Sequence, residues 1–387
     1  MKFVKIYKLN IKLNMNKEIN KINKMVDVLD ECAMLYFDGT TDTEKENTDV
    51  SNYNTEKLHT NFYECLIKIL RLFLSDKEEL DIYDEELIKK INDKLDDLEN
   101  YIEKTGFTKE EILQALLLLD IKGFKNLNFD LSIITPNAVS LIFAAILSRI
   151  YDNTNKLTLF DPNIGTGNLI FNVACAFSND VSILGIDSHS LMSRIACVKA
   201  EMLQIESEIY FDDCLSMIPT DISFIVSDIA TYMYENDNVV SNLYHNDNVR
   251  YFPFLLIEHF LQIEKPILAW YLIDDDFFSQ PSSSKLNEYL KQRGEIVSLI
   301  KLPIDFFQDS TKTKSILVIS NKKVHEELSV NIYAIPSLSN NQSSNNQSSN
   351  NQSSNNQSLN KIKFKQTIDH IVNDISSYLE LLNNYKN

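Results

Sequence analysis

The stretch of this 387-residue chain best suited to chemistry is Asp161-Pro162-Asn163-Ile164-Gly165-Thr166-Gly167-Asn168. Leu157 to Phe160 ahead of it reads as a short buried strand that Asp161 and Pro162 stop, and apolar residues at helical spacing follow. The pattern is a strand, a glycine turn and a helix start. Glycines let the backbone approach a ligand where a Cβ would clash, and the first free N–H groups of the next helix attract an anion. A nucleoside bearing a carboxylate fits such a turn, as does a dinucleotide. The dinucleotide fingerprint needs a third glycine and the phosphate loop needs a lysine, and neither is here.

Polar groups recur at later strand ends. Asp187 closes ILGID, about twenty residues after the glycine turn, the offset at which a carboxylate accepts ribose hydroxyls. IYFDDCL offers Asp213, with Asp212 as the competing choice, and FIVSDIATYMY offers Ser227, Asp228, Tyr232 and Tyr234. Taken singly, each of these has an ordinary reading as a solvated loop residue.

Taken in order, they resemble a known family. D-P-x-x-G-T-G-N-L closely resembles the first motif of the S-adenosylmethionine-dependent N6-adenine DNA methyltransferases, specifically the methylation subunits of type I restriction-modification systems and their stand-alone bacterial relatives. The resemblance covers roughly Gly106 to Asn321 and implies S-adenosylmethionine as cofactor. It assigns Asp161, Asn163, Gly165, Gly167 and Asn168 to the cofactor turn, Asp187 to the ribose, and Asp213 of D-x-L to the exocyclic amine of the cofactor adenine. Thr135, expected to cap a helix with Pro136 in its first turn, stands where the family's T-P opens the helix bordering the methionine end.

The fourth motif departs from the family. There [NDS]-P-P-[YFW] supplies a side chain and a carbonyl that accept from the target amine, and an aromatic ring that stacks on the flipped base. Placing Asp228 first gives Asp228-Ile229-Ala230-Thr231, without both prolines and the adjacent aromatic; placing Ser227 first is no better. Tyr232 and Tyr234, just beyond, are the rings expected to supply a stacking face.

The elements that must position these groups follow from periodicity. Strands are expected at 157–160, 182–186, 208–211, 222–227, 267–273, 296–301 and 315–320, alternating with helices at 167–177, 189–205, 250–263 and 283–293. That rhythm predicts an α/β fold: a Rossmann-like, seven-stranded methyltransferase sheet, mostly parallel and covered by helices on both faces. Ahead of it, helical spacing at 16–35, 55–74 and 84–104, a loop from Gly39 to Asn54 and a capping box from Thr108 to Glu111 predict a helical N-terminal domain ending near Gly123. The expected domains are 1–123, 124–336, a disordered SNNQS-repeat linker at 337–360 and a helix at 361–387.

Composition narrows the partners. A formal charge of −18 argues against a wholly basic nucleic-acid binder. Five irregularly spaced cysteines, with no C-x-x-C, indicate reduced thiols and no metal site. No continuous apolar run of membrane-spanning length is evident, and a cytoplasmic protein is expected. No target-recognition region is apparent, so DNA readout would fall to a specificity or partner subunit or to the N-terminal helices. Three functions share the cofactor pocket: adenine-N6 transfer through Asp228 with Tyr232 stacking, an inactive cofactor-binding scaffold, and methylation of another substrate.

Overall fold

The computed structural model describes residues 11–46, 61–75, 80–151, 156–178, 180–307, 309, 313–325, 330–337 and 350–384. The chain divides into two compact units, residues 1–131 with 194–205, and residues 132–193 with 206–387.

The first unit is helical: α1 (Ile11–Glu46), α2 (Phe62–Leu74), α3 (Glu85–Thr105) and α4 (Lys109–Asn126). Asp84 caps α3 by accepting from the N–H groups of Glu86 and Leu87, both at 3.0 Å, and Gly106 at φ 65° ends it. The capping box of α4 forms as expected, Glu111 N donating to Thr108 Oγ1 at 3.2 Å and Thr108 N to Glu111 Oε2 at 3.0 Å. Two glycines expected outside helices lie within them. Helix α1 runs through Gly39 to Glu46, residues 47–54 of the expected loop lying outside the described residues, and α4 runs through Gly123 to Asn126. Both are sites of close approach: a Cβ on Gly39 would lie 2.7 Å from the Leu87 side chain, and one on Gly123 2.4 Å from the Tyr63 ring. Inside this unit Lys199 forms a buried ion pair with Asp120, which also accepts from the Tyr63 hydroxyl at 2.7 Å.

The second unit is α/β. In chain order it holds α5 (Asn137–Ile150), β1 (Lys156–Asp161), α6 (Asn168–Cys175), β2 (Asp180–Asp187), the start of α7 (Ser190–Met202), β3 (Glu206–Phe211) and β4 (Phe224–Asp228). Then follow α8 (Asn242–Asp247), α9 (Phe252–Phe260), β5 (Leu268–Asp274), α10 (Ser283–Arg293), β6 (Glu295–Lys301), β7 (Lys314–Ser320), β8 (Asn331–Ala334) and α11 (Asn350–Asn384). The strands form one sheet in the order β3-β2-β1-β4-β5-β7-β6-β8, with β7 antiparallel to both neighbours and the other pairs parallel. All the expected strands are present, and β8 makes an eighth where seven were expected. Chain order reverses between β1 and β4, the place where an open sheet leaves a crevice at its carboxyl edge.

Burial explains the covering helices. Every residue of α9 is buried, Glu258 and His259 with hydrogen-bond partners, and its apolar residues lie within the core with Phe160 and Tyr271. The segment Leu131–Ile150 is apolar and long enough to cross a membrane by composition alone; here Val139, Phe143, Ile146 and Leu147 are wholly buried core residues. At the other end, Ile368, Ile371, Val372, Ile375, Tyr378 and Leu382 form one buried stripe on α11, which packs on α5 and β8. This helix begins at Asn350, inside the polar repeat expected to be a disordered linker up to 360; residues 338–349 of the repeat lie outside the described residues.

Candidate active site

Gly165 and Gly167 adopt φ 53° and 77°, a region that residues with a Cβ enter at a cost, and Gly167 is the N-cap of α6. Around Gly165 the place of a Cβ is open, with nothing nearer than the Asn163 carbonyl at 4.0 Å. Around Gly167 it is filled, since a Cβ would come within 2.1 Å of the Phe171 ring. The first glycine therefore leaves space beside the turn, and the second lets helix and turn close together. Gly167→Ala is expected to cost about 2 kcal/mol or more, from the left-handed backbone and the ring contact combined, as measured by urea unfolding.

The next strand grips this turn. Asp187, at the end of β2, accepts from Gly165 N at 2.9 Å through Oδ2 and from His189 N at 2.8 Å through Oδ1. A carboxylate offers about four acceptor positions, so two remain beyond these backbone donors. Burial raises the pKa of Asp187, opposed by these two backbone donors. After β3, Asp213 accepts from Leu215 N at 3.0 Å and from the Tyr234 hydroxyl. Tyr234, which lies beyond Asp228 in the sequence, is thus buried with its hydroxyl on Asp213.

Two of the expected site residues point inward. Asp161 is 1% exposed and accepts from Ser227 Oγ at 2.6 Å and from Asn163 N at 3.0 Å. Burial pushes its carboxyl up to about 7, against the pull of those two donors, and the charges of Asp228 and Asp187 push the same way as burial. Ser227 is fully buried and turned toward β1. By strand alternation Ser227 and Asp228 point to opposite faces of the sheet, and the Ser227 hydroxyl is engaged with Asp161.

Asp228 faces a different set of partners. Its Oδ2 accepts from Thr135 Oγ1 at 2.7 Å, and its Oδ1 accepts from Lys314 Nζ at 2.6 Å. Thr135 was expected to cap α5; the N-cap is Pro136, whose carbonyl accepts from Val139 N at 2.9 Å and Ser140 N at 3.1 Å, and no side chain caps the helix. The Thr135 hydroxyl is committed to Asp228, and its carbonyl accepts from Asn168 Nδ2 at 2.6 Å. Lys314 also lies 3.9 Å from Asp274, and the three side chains are only 12–30% exposed. Burial alone would lower the Lys314 pKa; the charge and hydrogen bond of Asp228, with Asp274 behind, outweigh it and raise the pKa.

The loop after β4 shows what replaces the missing prolines. Ile229 N donates to Leu272 O at 3.2 Å and Ala230 N to Asn163 Oδ1 at 3.4 Å, so the two N–H groups that prolines would lack have acceptors. Thr231 Oγ1 donates to Asp274 at 2.7 Å, Tyr234 N to Arg250 O at 2.6 Å, and Met233 bridges to Tyr251. Tyr232 stacks on Phe252 with ring centroids 4.4 Å apart, yet remains 43% exposed, so one face has a partner and the ring still reaches solvent. Lys314, Thr231 and Asp274 were not expected in the site. Lys314 directly precedes the buried run Ser315 to Ser320, and a lysine at the start of such a strand was the sole hint of its role.

With this geometry in view, known proteins can be compared. No protein-family model matches the chain. The Bacillus subtilis protein YtxK, itself uncharacterized, is 26% identical over 214 residues, which covers 53% of this chain and 65% of YtxK. The match therefore spans less than two thirds of that relative's length. Among solved structures, a Listeria monocytogenes protein described as a class I S-adenosylmethionine-dependent methyltransferase matches with a TM-score of 0.67 at 23% identity, over 81% of this chain and 93% of that one. The methyltransferase subunit of a type I restriction-modification system from Streptococcus thermophilus matches with a TM-score of 0.52 at 13% identity, over 89% and 93%. The chain has the class I methyltransferase fold. Within that fold, the glycine turn, Asp187 and Asp213 stand at the carboxyl edge of the sheet, and Asp228 stands at the end of β4.

Proposed function

We propose that the protein binds S-adenosylmethionine over the carboxyl ends of β1, β2 and β3 and is a methyltransferase of the adenine-N6 DNA type with an altered acceptor loop. The observation carrying the cofactor reading is the open side of Gly165, with its N–H tied to an Asp187 carboxylate that keeps acceptor capacity. Those residues fit a nucleoside that presents hydroxyls to Asp187 and an amine to Asp213. When bound, the cofactor supplies an electrophilic methyl group. Asp228 would accept from the target amine, Tyr232 would stack on the base, and a partner subunit would supply sequence recognition. Neither a membrane nor a metal enters this reading.

A second reading, a cofactor-binding protein without methyl transfer, is favoured by one observation: both Asp228 oxygens already accept from Lys314 and Thr135. Calorimetric titration with S-adenosylmethionine, followed in the same sample by transfer of labelled methyl to unmethylated duplex DNA, separates the two. Binding with transfer supports the enzyme; binding without transfer supports the scaffold; no binding refutes both. Asp187→Ala is expected to weaken binding by roughly 10- to 100-fold, the loss of hydrogen bonds to a charged acceptor, and unchanged affinity would remove Asp187 from the site.

A further inference from the structure

A carboxylate at the end of β4 selects an amine through its lone pairs, about four in all, and each donor already bound there takes one of them and the space beside it. On Asp228, Oδ2 is held by the Thr135 hydroxyl and Oδ1 by the Lys314 ammonium, at 2.7 and 2.6 Å. Lys314 is itself an amine, delivered from two strands away by a fixed register: it opens β7, antiparallel to β5, directly opposite Asp274. Asp274 lies 3.9 Å from the same ammonium and accepts from Thr231 of the β4 loop at 2.7 Å. Two strand ends and one loop therefore converge on this cation, whose side chain is 18% exposed.

We propose that Lys314 occupies the place of the acceptor amine on Asp228, and that it determines specificity by keeping the site closed to amino substrates until it withdraws. This inference rests on the proposed role of Asp228. Lysine is suited to the task because its compact ammonium sits on a flexible four-carbon stem. An arriving adenine amine is a neutral donor and lacks the ion-pair attraction that Asp228 and Asp274 exert on the ammonium, so it competes poorly with Lys314. Lys314 is not itself the methyl acceptor, because the flanking carboxylates keep a proton on Nζ and leave no lone pair to attack.

The test compares the intact protein with Lys314→Met, Lys314→Arg and Asp228→Asn. S-adenosylmethionine affinity is read by calorimetry, and methyl transfer to unmethylated DNA is read as N6-methyladenine by mass spectrometry. Affinity is expected to stay within about threefold in all four, because the cofactor groups lie at β1 to β3. Lys314→Met is expected to raise transfer at least tenfold over the intact protein, and Lys314→Arg, which keeps the cation, is expected to leave it low. Asp228→Asn keeps an acceptor oxygen but releases the cation, so it should rise with Lys314→Met; it serves as the independent variant if the methionine protein does not fold. Transfer that is unchanged or slower in both Lys314→Met and Asp228→Asn, with cofactor affinity intact, overturns the inference. So does a methyl group found on Lys314 by peptide mapping. Absence of cofactor binding in the intact protein instead fails the underlying reading, and this inference with it.

Discussion

Asp120→Ala is expected to destabilise the helical unit by about 3–5 kcal/mol, the usual cost of removing one partner from a buried ion pair. Asp120 is 1% exposed and Lys199 2%, and the Tyr63 hydroxyl that also donates to Asp120 belongs to a fully buried side chain. Burial already lowers the Lys199 pKa, with the Asp120 charge opposing it. Taking Asp120 away removes the carboxylate beside a buried ammonium and the acceptor of the tyrosine hydroxyl. The double variant Asp120→Leu with Lys199→Met, combined with Tyr63→Phe, removes all three polar groups together, and its stability should return to within about 1–2 kcal/mol of the parent or exceed it. Urea unfolding of the single and combined variants decides the matter. A loss below 1 kcal/mol for Asp120→Ala would mean that water reaches Lys199 easily.

The second large effect is one of pH. The Asp161 carboxyl sits at about 7 in the folded chain, against a reference value of 3.8. Between those values the folded protein holds a proton that the unfolded chain has released, so stability must fall as pH rises from about 4 to about 7. The slope is at most about 1.4 kcal/mol per pH unit, and the full span is about 4 kcal/mol. Asp161→Asn keeps an oxygen for Ser227 and Asn163 but cannot ionise, so its stability should lack this decline. Ser227→Ala removes the shortest donor to the ionised form and should steepen the decline at its upper end. Urea midpoints for the three proteins at several pH values between 4 and 8 give the comparison; parallel curves for parent and Asp161→Asn would show that Asp161 does not titrate in this range. The difference between curves matters more than either one, because Asp187 is also raised by burial and contributes to both.

The parts of this site legible in the sequence were local. A strand, two glycines and an aspartate about twenty residues later mark the turn at the carboxyl edge of the sheet, because turn geometry and strand alternation act over a few residues. The parts that were not legible depend on distant pairings. Thr135 reads as a cap because threonine before proline and a helical run has that local meaning; its hydroxyl goes instead to Asp228, 93 residues away. Lys314 meets Asp228 across 86 residues through the β5–β7 register, which no local pattern encodes. Gly123 reads as a helix end until the Tyr63 ring is seen to lie against it. The eighth strand, Asn331–Ala334, has no buried residue and no alternation, so nothing in it announces a strand apart from the sheet edge it pairs with.

The membership of Lys199 bears on how this gene could have been assembled or cut. The helical unit is discontinuous in sequence, since it ends at Leu131 and takes back residues 194–205 from between β2 and β3. A fragment expressed from the N-terminus to Leu131 would carry Asp120 and Tyr63 without the ammonium they were folded around. The unit is therefore not a portable module that recombination can attach to another α/β domain by a single junction. Whatever the helices do, they inherit it together with the sheet that interrupts them.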